Sequence, residues 1–146
     1  MTTTNSLRQW SGQMPVASPE TKPFWDACNE ERFLLQKCPD CGRFQYHYRA
    51  FCSHCWSRNI EDYVSAGHGT IWTYSVVKKN RTPGYEGKTP YVVAIVELEG
   101  GTKVFGNVVD LDPDDAHIGM PVELIFAVAD TGQKIPLFSA SHPSAS

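Results

Sequence analysis

Four of the five cysteines fall into two knuckles, Cys38-Pro39-Asp40-Cys41 and Cys52-Ser53-His54-Cys55, with residues 42–51 between them. A thiolate is a strong ligand for a borderline or soft cation. Two such turns on a short hairpin bring four sulfurs to about 2.3 Å from one ion. Gly42 follows the second thiol directly, where the turn favours positive φ. Two disulfides would need an oxidising compartment. The start, Met1-Thr2-Thr3-Thr4-Asn5-Ser6, shows neither the charged nor the apolar region of a secretory signal. A redox Cys-x-x-Cys would stand alone beside a βαβ pattern, which is absent. The pattern therefore reads as a metal site. Zinc is the expected ion and iron the alternative, because four thiolates suit both. Such a site has no open coordination position, so its expected role is structural. His47 and His54 are competing ligands by type, but with four thiolates in place they read as surrounding or exposed groups.

Cys28 stands apart. Its neighbours Asp26, Glu30 and Glu31 are acidic and would raise its pKa, so an inert thiol is expected there. Around the knuckles lie aromatic residues with no obvious core of their own. Phe24 and Trp25 sit on a short helical stretch, and Phe44, Tyr46, Tyr48 and Phe51 largely alternate between the knuckles. They either pack on the second half of the chain or dock a partner, which makes Phe24, Trp25, Phe44, Tyr46 and Tyr48 the candidate partner-binding residues.

The elements that position these groups follow from pattern. Residues 1–20 are rich in Thr, Ser, Gln and Pro and read as a flexible N-terminal arm, with Trp10 and Met14 as potential anchors on another surface. Thr21 to Arg32 reads as a helix, capped by Thr21 and tolerating Pro23 in its first turn. Phe33 to Lys37 reads as a strand and residues 42–51 as the ribbon hairpin. From Tyr63 onward the chain reads as β-structure, with strands over 70–79, 90–98, 103–111, 122–128 and 135–139 joined by turns rich in Gly, Pro, Asp and Asn. Five short strands with a longer third connection fit an OB-fold barrel, with a small sandwich as the alternative. The expected divisions are an arm over 1–20, a helix plus ribbon over 21–60, a barrel over 61–140 and a tail over 141–146.

The 146 residues are 41% hydrophobic and 20% charged, with a net charge of −3, as expected of a folded domain. Seven basic and seven acidic residues balance in the first 66, while six basic face nine acidic residues in the rest. Neither half has the basic surplus of a general nucleic-acid binder. No apolar run of about 18 residues occurs, so no transmembrane helix is expected. The cysteine usage suits a reducing cytoplasm.

Several stretches together resemble a known family. They are Cys38-Pro-Asp-Cys41-Gly42, Cys52-Ser-His-Cys55, Ser65-Ala-Gly-His-Gly69-Thr70-Ile71, Pro90-Tyr91-Val-Val-Ala-Ile-Val-Glu-Leu98, Ile118-Gly119-Met120-Pro121-Val122 and Ile135-Pro136-Leu137-Phe138. Over about residues 22–140 the chain resembles the bacterial and archaeal family described as a rubredoxin-like zinc ribbon followed by an OB-fold, long catalogued as a domain of unknown function. It departs from the family at Tyr46-His47-Tyr48-Arg49, where a Pro-Pro-Arg-like run is usual, and at Ser65-Ala66-Gly67, where Ser-Gly is usual. The resemblance implies a small non-catalytic subunit that bridges thiolase-like and ketosynthase-like acyl-CoA enzymes in a hetero-oligomer, and that helps guide an acyl or pantetheine arm. Length and layout are also similar to the small subunits of bacterial three-component acyltransferases that acylate phloroglucinol in diacetylphloroglucinol synthesis, a secondary-metabolite route. On that reading Arg43 and Arg49 on the hairpin, and Lys78, Lys79 and Arg81 after a strand, are candidate contacts for coenzyme A phosphates. Solvated surface charge is the competing reading. No nucleophile elbow or phosphate-binding glycine loop is present. A single-stranded nucleic-acid module and a rubredoxin-like electron carrier are the other functions that these two folds support.

Overall fold

The computed structural model describes residues 9–10, 15–81 and 88–140. Met14, residues 82–87 and the expected tail over 141–146 lie outside the described residues.

Helix α1 spans Lys22–Asn29. It is shorter than expected because Glu31 takes φ 60° and turns the chain out of the helix. Pro23 occupies the first turn, but Thr21 does not cap it with its side chain. That hydroxyl instead accepts the Ser18 amide at 2.9 Å. Phe24, Ala27 and Cys28 form the buried face.

The ribbon follows as strands β2 (Leu34–Lys37), β3 (Phe44–Gln45) and β4 (Glu61–Val64), an antiparallel sheet in the order β3-β2-β4. The expected hairpin over 42–51 is mostly irregular, since only Phe44 and Gln45 pair with β2. Side chains hold the remainder. Buried Gln36 and Gln45 bond to each other at 2.7 Å. Gln36 also binds the carbonyl and amide of Arg49 at 2.8 and 2.9 Å. Gln45 accepts the amide and hydroxyl of Ser53 at 2.8 and 3.0 Å. Two glutamines thus replace the ladder that the loop lacks, and each buried amide is satisfied.

The barrel contains β5 (His68–Val77), β6 (Tyr91–Glu97), β7 (Lys103–Val109), β8 (Pro121–Ala129) and β9 (Lys134–Ala140). Neighbours run β8-β5-β6-β7-β9, and β8 also pairs with β9, which closes the sheet. The β7–β9 pair is parallel and the other barrel pairs are antiparallel. This is the five-stranded OB-fold barrel read from the sequence, preceded as expected by a helix and a ribbon. Strand β1 (Gln9–Trp10) runs parallel to β8 at Val128 and Ala129. Part of the segment expected to be a flexible arm is therefore fixed as a strand, on an edge that β5 leaves open.

Ribbon and barrel share one core. Phe24, Cys28, Phe33 and Leu35 belong to the same buried cluster as Val92, Val96, Val104 and Phe138. Strand β4 begins at Glu61 and pairs with β2, so the ribbon sheet runs on to Val64. Two contacts lock the junction. Glu99 accepts the Ser65 hydroxyl at 2.7 Å and the Ala66 amide at 2.6 Å. Gly100, at φ 68°, lies under Phe44, and an added Cβ would come within 2.2 Å of that ring.

Two outcomes follow. Gly100→Ala should cost about 1–3 kcal/mol more than Gly132→Ala, because Gly132 also has positive φ, at 90°, but meets nothing within 4 Å. Equal losses in urea denaturation would refute the close contact. At Glu99, burial pushes the carboxyl up, but the Ala66 amide and Ser65 hydroxyl outweigh it and hold its pKa below 4.5. A depressed carboxylate stabilises the fold above its unfolded pKa, and this stabilisation is lost as pH falls through the folded value. Glu99→Gln should therefore cost about 1 kcal/mol at neutral pH, after discounting for solvent, with the gap from wild type closing below about pH 4.5. A gap that stays constant down to pH 3 would contradict this.

Candidate metal centre and the exposed surface around it

The backbone forms each knuckle in the same way. Cys38 C=O accepts the Gly42 amide at 2.7 Å, and Cys52 C=O accepts the Trp56 amide at 2.9 Å. The residue after each second cysteine has positive φ, 77° at Gly42 and 67° at Trp56. Asp40 of the first knuckle ties the two together by accepting the Ser57 hydroxyl and, at 3.1 Å, the Asn59 side-chain amide.

The four Sγ atoms of Cys38, Cys41, Cys52 and Cys55 lie within 4.8 Å of one another. Cys38 and Cys55 sulfurs are 3.6 Å apart, and those of Cys41 and Cys52 are 3.7 Å apart. Sulfurs around a tetrahedral ion with bonds of about 2.3 Å stand about 3.8 Å apart, so the donor set fits one metal ion. Burial opposes charge on Cys52, but the amides of Cys55 and His54 and the thiols of Cys41 and Cys55 outweigh it and lower its pKa. Cys41 and Cys55 are raised in the same shared network, so a cation binding there must displace their protons. His54 is outside the ligand set. It contacts the Arg43 guanidinium at 3.5 Å and the Phe44 carbonyl at 3.3 Å. Cys28 is fully buried, and its thiol is pushed up to about 12. The direction matches expectation but the cause does not: burial raises it, not the acidic neighbours.

The aromatic candidates divide. Phe24 is buried and meets Trp25, Phe33 and Tyr46 edge-on at 5.0–6.0 Å. Tyr46 stacks on Phe33 at 5.5 Å. Phe44 meets Tyr63 at 5.0 Å, and Tyr48 donates to Asp62 at 2.6 Å. Trp25, Phe44, Tyr46 and Tyr48 are half-buried against the shared core. The most exposed rings were missed as site candidates. Trp56 is 74% exposed and stacks on Phe51 at 5.1 Å. Trp72 and Phe105 are 53% and 67% exposed on β5 and β7. The alternation along these strands carried the signal, but it reads equally well as burial.

The cationic candidates are not brought together. Arg49 lines a groove of about 310 Å³ between ribbon and barrel, with His47, His54, Phe44 and Lys103. Arg43 reaches its edge through His54. Lys78, Lys79 and Arg81 follow the far end of β5. Val77 pairs with Tyr91, whereas Lys103 pairs with Glu97, so the length of β6, about 20 Å, separates the two sets. One groove residue, Lys103, was missed. Its ammonium lies 5.1 Å over the Trp72 ring and 3.5 Å from Glu97. No helix among the described residues is long and apolar enough to cross a membrane.

Chelating the metal, or replacing Cys41 by Ser, should unfold residues 33–57 and lower the melting temperature, because metal binding contributes on the order of 10 kcal/mol in such small modules. Unchanged melting in Cys41→Ser would show that the ribbon stands without the ion.

Known proteins match both modules. Residues 25–61 match the rubredoxin-like zinc ribbon domain of ChsH2, and residues 63–127 its C-terminal OB-fold domain. A DUF35 domain-containing scaffold protein of Methanocaldococcus jannaschii is 38% identical over 100 residues, covering 66% of this chain and 70% of that one. A probable enoyl-CoA hydratase alpha subunit of Thermomonospora curvata is 36% identical over 121 residues. The match takes in 82% of this chain but only 37% of that subunit. Among solved structures, the Ltp2-ChsH2(DUF35) aldolase superposes with a TM-score of 0.77 at 32% identity, covering 87% of this chain and 98% of the matched one. The four-thiolate ribbon, the closed barrel and these relatives agree: the chain belongs to the DUF35 family, a rubredoxin-like zinc ribbon joined to an OB-fold.

Proposed function

We propose that this chain is a non-catalytic scaffold subunit that joins catalytic subunits of an acyl-CoA enzyme complex. The observation that carries this reading is exposed aromatic surface on both modules of a scaffold-family fold: the Phe51–Trp56 stack on the ribbon, and Trp72 with Phe105 on the barrel. Rings of this size exposed on a small domain mark contact surfaces. The metal reinforces the reading, because four protein thiolates leave no coordination position for a substrate. The relatives include a hydratase alpha subunit, of which this chain matches 37%, and a chain of a structure named for an aldolase, of which it matches 98%.

The finer reading assigns zinc to the ribbon and a thiolase-type acyltransferase to the partners, with phloroglucinol derivatives as acyl acceptors. The groove holding Arg49, His47, His54 and Lys103 would receive the phosphates of an acyl-CoA at the partner boundary. Lys78, Lys79 and Arg81 would meet solvent or another surface. Cytoplasmic assembly follows from this reading.

The test is co-purification of the tagged chain from its native host, followed by reconstitution. A colourless chain with one zinc, inactive alone and retaining thiolase-like subunits, is expected. Trp56→Ala combined with Phe105→Ala should lower retention at least about tenfold while zinc content and circular dichroism stay unchanged. Acyl transfer by the purified single chain would overturn the scaffold role. Unchanged retention by the double variant would remove these rings from the interface.

A further inference from the structure

The start of α1 and the loop between the knuckles meet in a box of aromatic rings. Phe24 is buried. Trp25 and Tyr46 both stand nearly perpendicular to it, at 85° and 78°, with centroids 5.0 and 6.0 Å away. His47 lies 4.8 Å from Tyr46. Thr21 and Tyr48 complete the lining of a pocket of about 120 Å³. Three of these residues are held from behind. Tyr46 stacks on Phe33 at 5.5 Å, Tyr48 donates to Asp62 at 2.6 Å, and Trp25 C=O accepts the Gln133 side-chain amide at 3.2 Å. The walls therefore keep their orientation without a ligand, which lowers the cost of binding one.

The pocket falls well below the roughly 300 Å³ at which cofactor sites begin, and its size suits one side chain. Two carboxylates set its sign. Asp62 accepts from Tyr48, and Glu20, next to Thr21, accepts the Ala50 amide at 2.9 Å. The start of α1 offers an anion no donor. Lys22 gives its amide to Ser18 C=O, Phe24 and Trp25 give theirs to Thr21 C=O, and Pro23 has none. Lys22 is paired with Asp26 at 2.7 Å, and Arg49 lines the groove against the barrel. Aromatic faces beside carboxylates attract a cation. A guanidinium suits such walls best, because it is planar, stacks on rings and is more weakly hydrated than an ammonium. We propose that this box is a socket for one arginine side chain of a protein partner. The partner is the catalytic subunit of the scaffold reading, on which this inference rests. The guanidinium stacks on the rings, and Asp62 and Glu20 supply the opposing charge. Trp56, Trp72 and Phe105 offer contact area, whereas the socket selects by charge.

Titration of the full chain with N-acetyl-arginine amide, followed by NMR on the Trp25 indole and the Tyr48 ring, reads the socket directly. The neutral isostere N-acetyl-citrulline amide is the control. The arginine probe should bind at least about tenfold more tightly. Glu20→Gln together with Asp62→Asn keeps both hydrogen-bond acceptors and removes both charges. This pair should bring the arginine probe to the level of citrulline while the melting temperature stays unchanged. In the complex, the same pair should lower retention of catalytic subunits at least about fivefold. Asp114→Asn with Asp115→Asn, an equal change of charge on the barrel, should not. Equal affinity for the two probes would overturn the proposal and leave an apolar pocket. Retention unmoved by the Glu20 and Asp62 pair would overturn the assignment to a catalytic subunit. Self-association that the pair abolishes would do so too, since the socket would then hold a second copy of this chain. A wild-type chain that retains no catalytic subunit would instead remove the scaffold reading and with it the partner, while the titration still decides the socket.

Discussion

The ribbon depends on convergence of four sulfurs on one point. Its strands are two to four residues long, too short to hold a sheet by ladder bonds alone. Between the knuckles, the Gln36–Gln45 pair holds Arg49 and Ser53, Tyr48 binds Asp62 and the Ala50 amide binds Glu20. A metal ion bound by the four thiolates would add a second anchor to the path of loop 46–51. That path in turn places Phe44 on Gly100 and Tyr46 on Phe33. Coordination at one end of the molecule is transmitted by packing to the barrel at the other. The junction is a continuation of one core.

This arrangement leaves the thiols little scope for chemistry of their own. Cys28 is buried until its thiol is inert, and the four remaining cysteines are placed to saturate one ion. What stays available at the surface is aromatic area and a few cations. The scaffold role proposed above would use that surface.

Much of the fold was legible in the sequence because its signals were local. Double knuckles have one economical geometry, and the apolar run Tyr91–Val96 reads as a strand covered on both faces. What escaped was non-local. Nothing adjacent to Gln36 or Gln45 announces that they bond to each other and to the loop between the knuckles. The loop was consequently read as a hairpin from its alternation. The two cation clusters looked comparable along the chain, and only the register of β6 separates them. Likewise Phe24 and Phe105 are both phenylalanines in apolar surroundings of sequence, yet one is 5% and the other 67% exposed. Hydrophobicity ranks residues by what burial would gain, and it is silent on which face the fold turns outward.

The matched geometry of the knuckles carries a last consequence. Both need a left-handed residue after the second thiol. The first knuckle fills that place with Gly42, at no steric cost, and the second with Trp56. A side chain held there costs about 1–2 kcal/mol. The second knuckle thus accepts backbone strain, and the indole it displays is mostly in solvent. Strain kept beside an exposed ring is what the proposed contact role of Trp56 would require. It makes the ribbon's two halves unequal: one turn is optimised to fold, the other to be met.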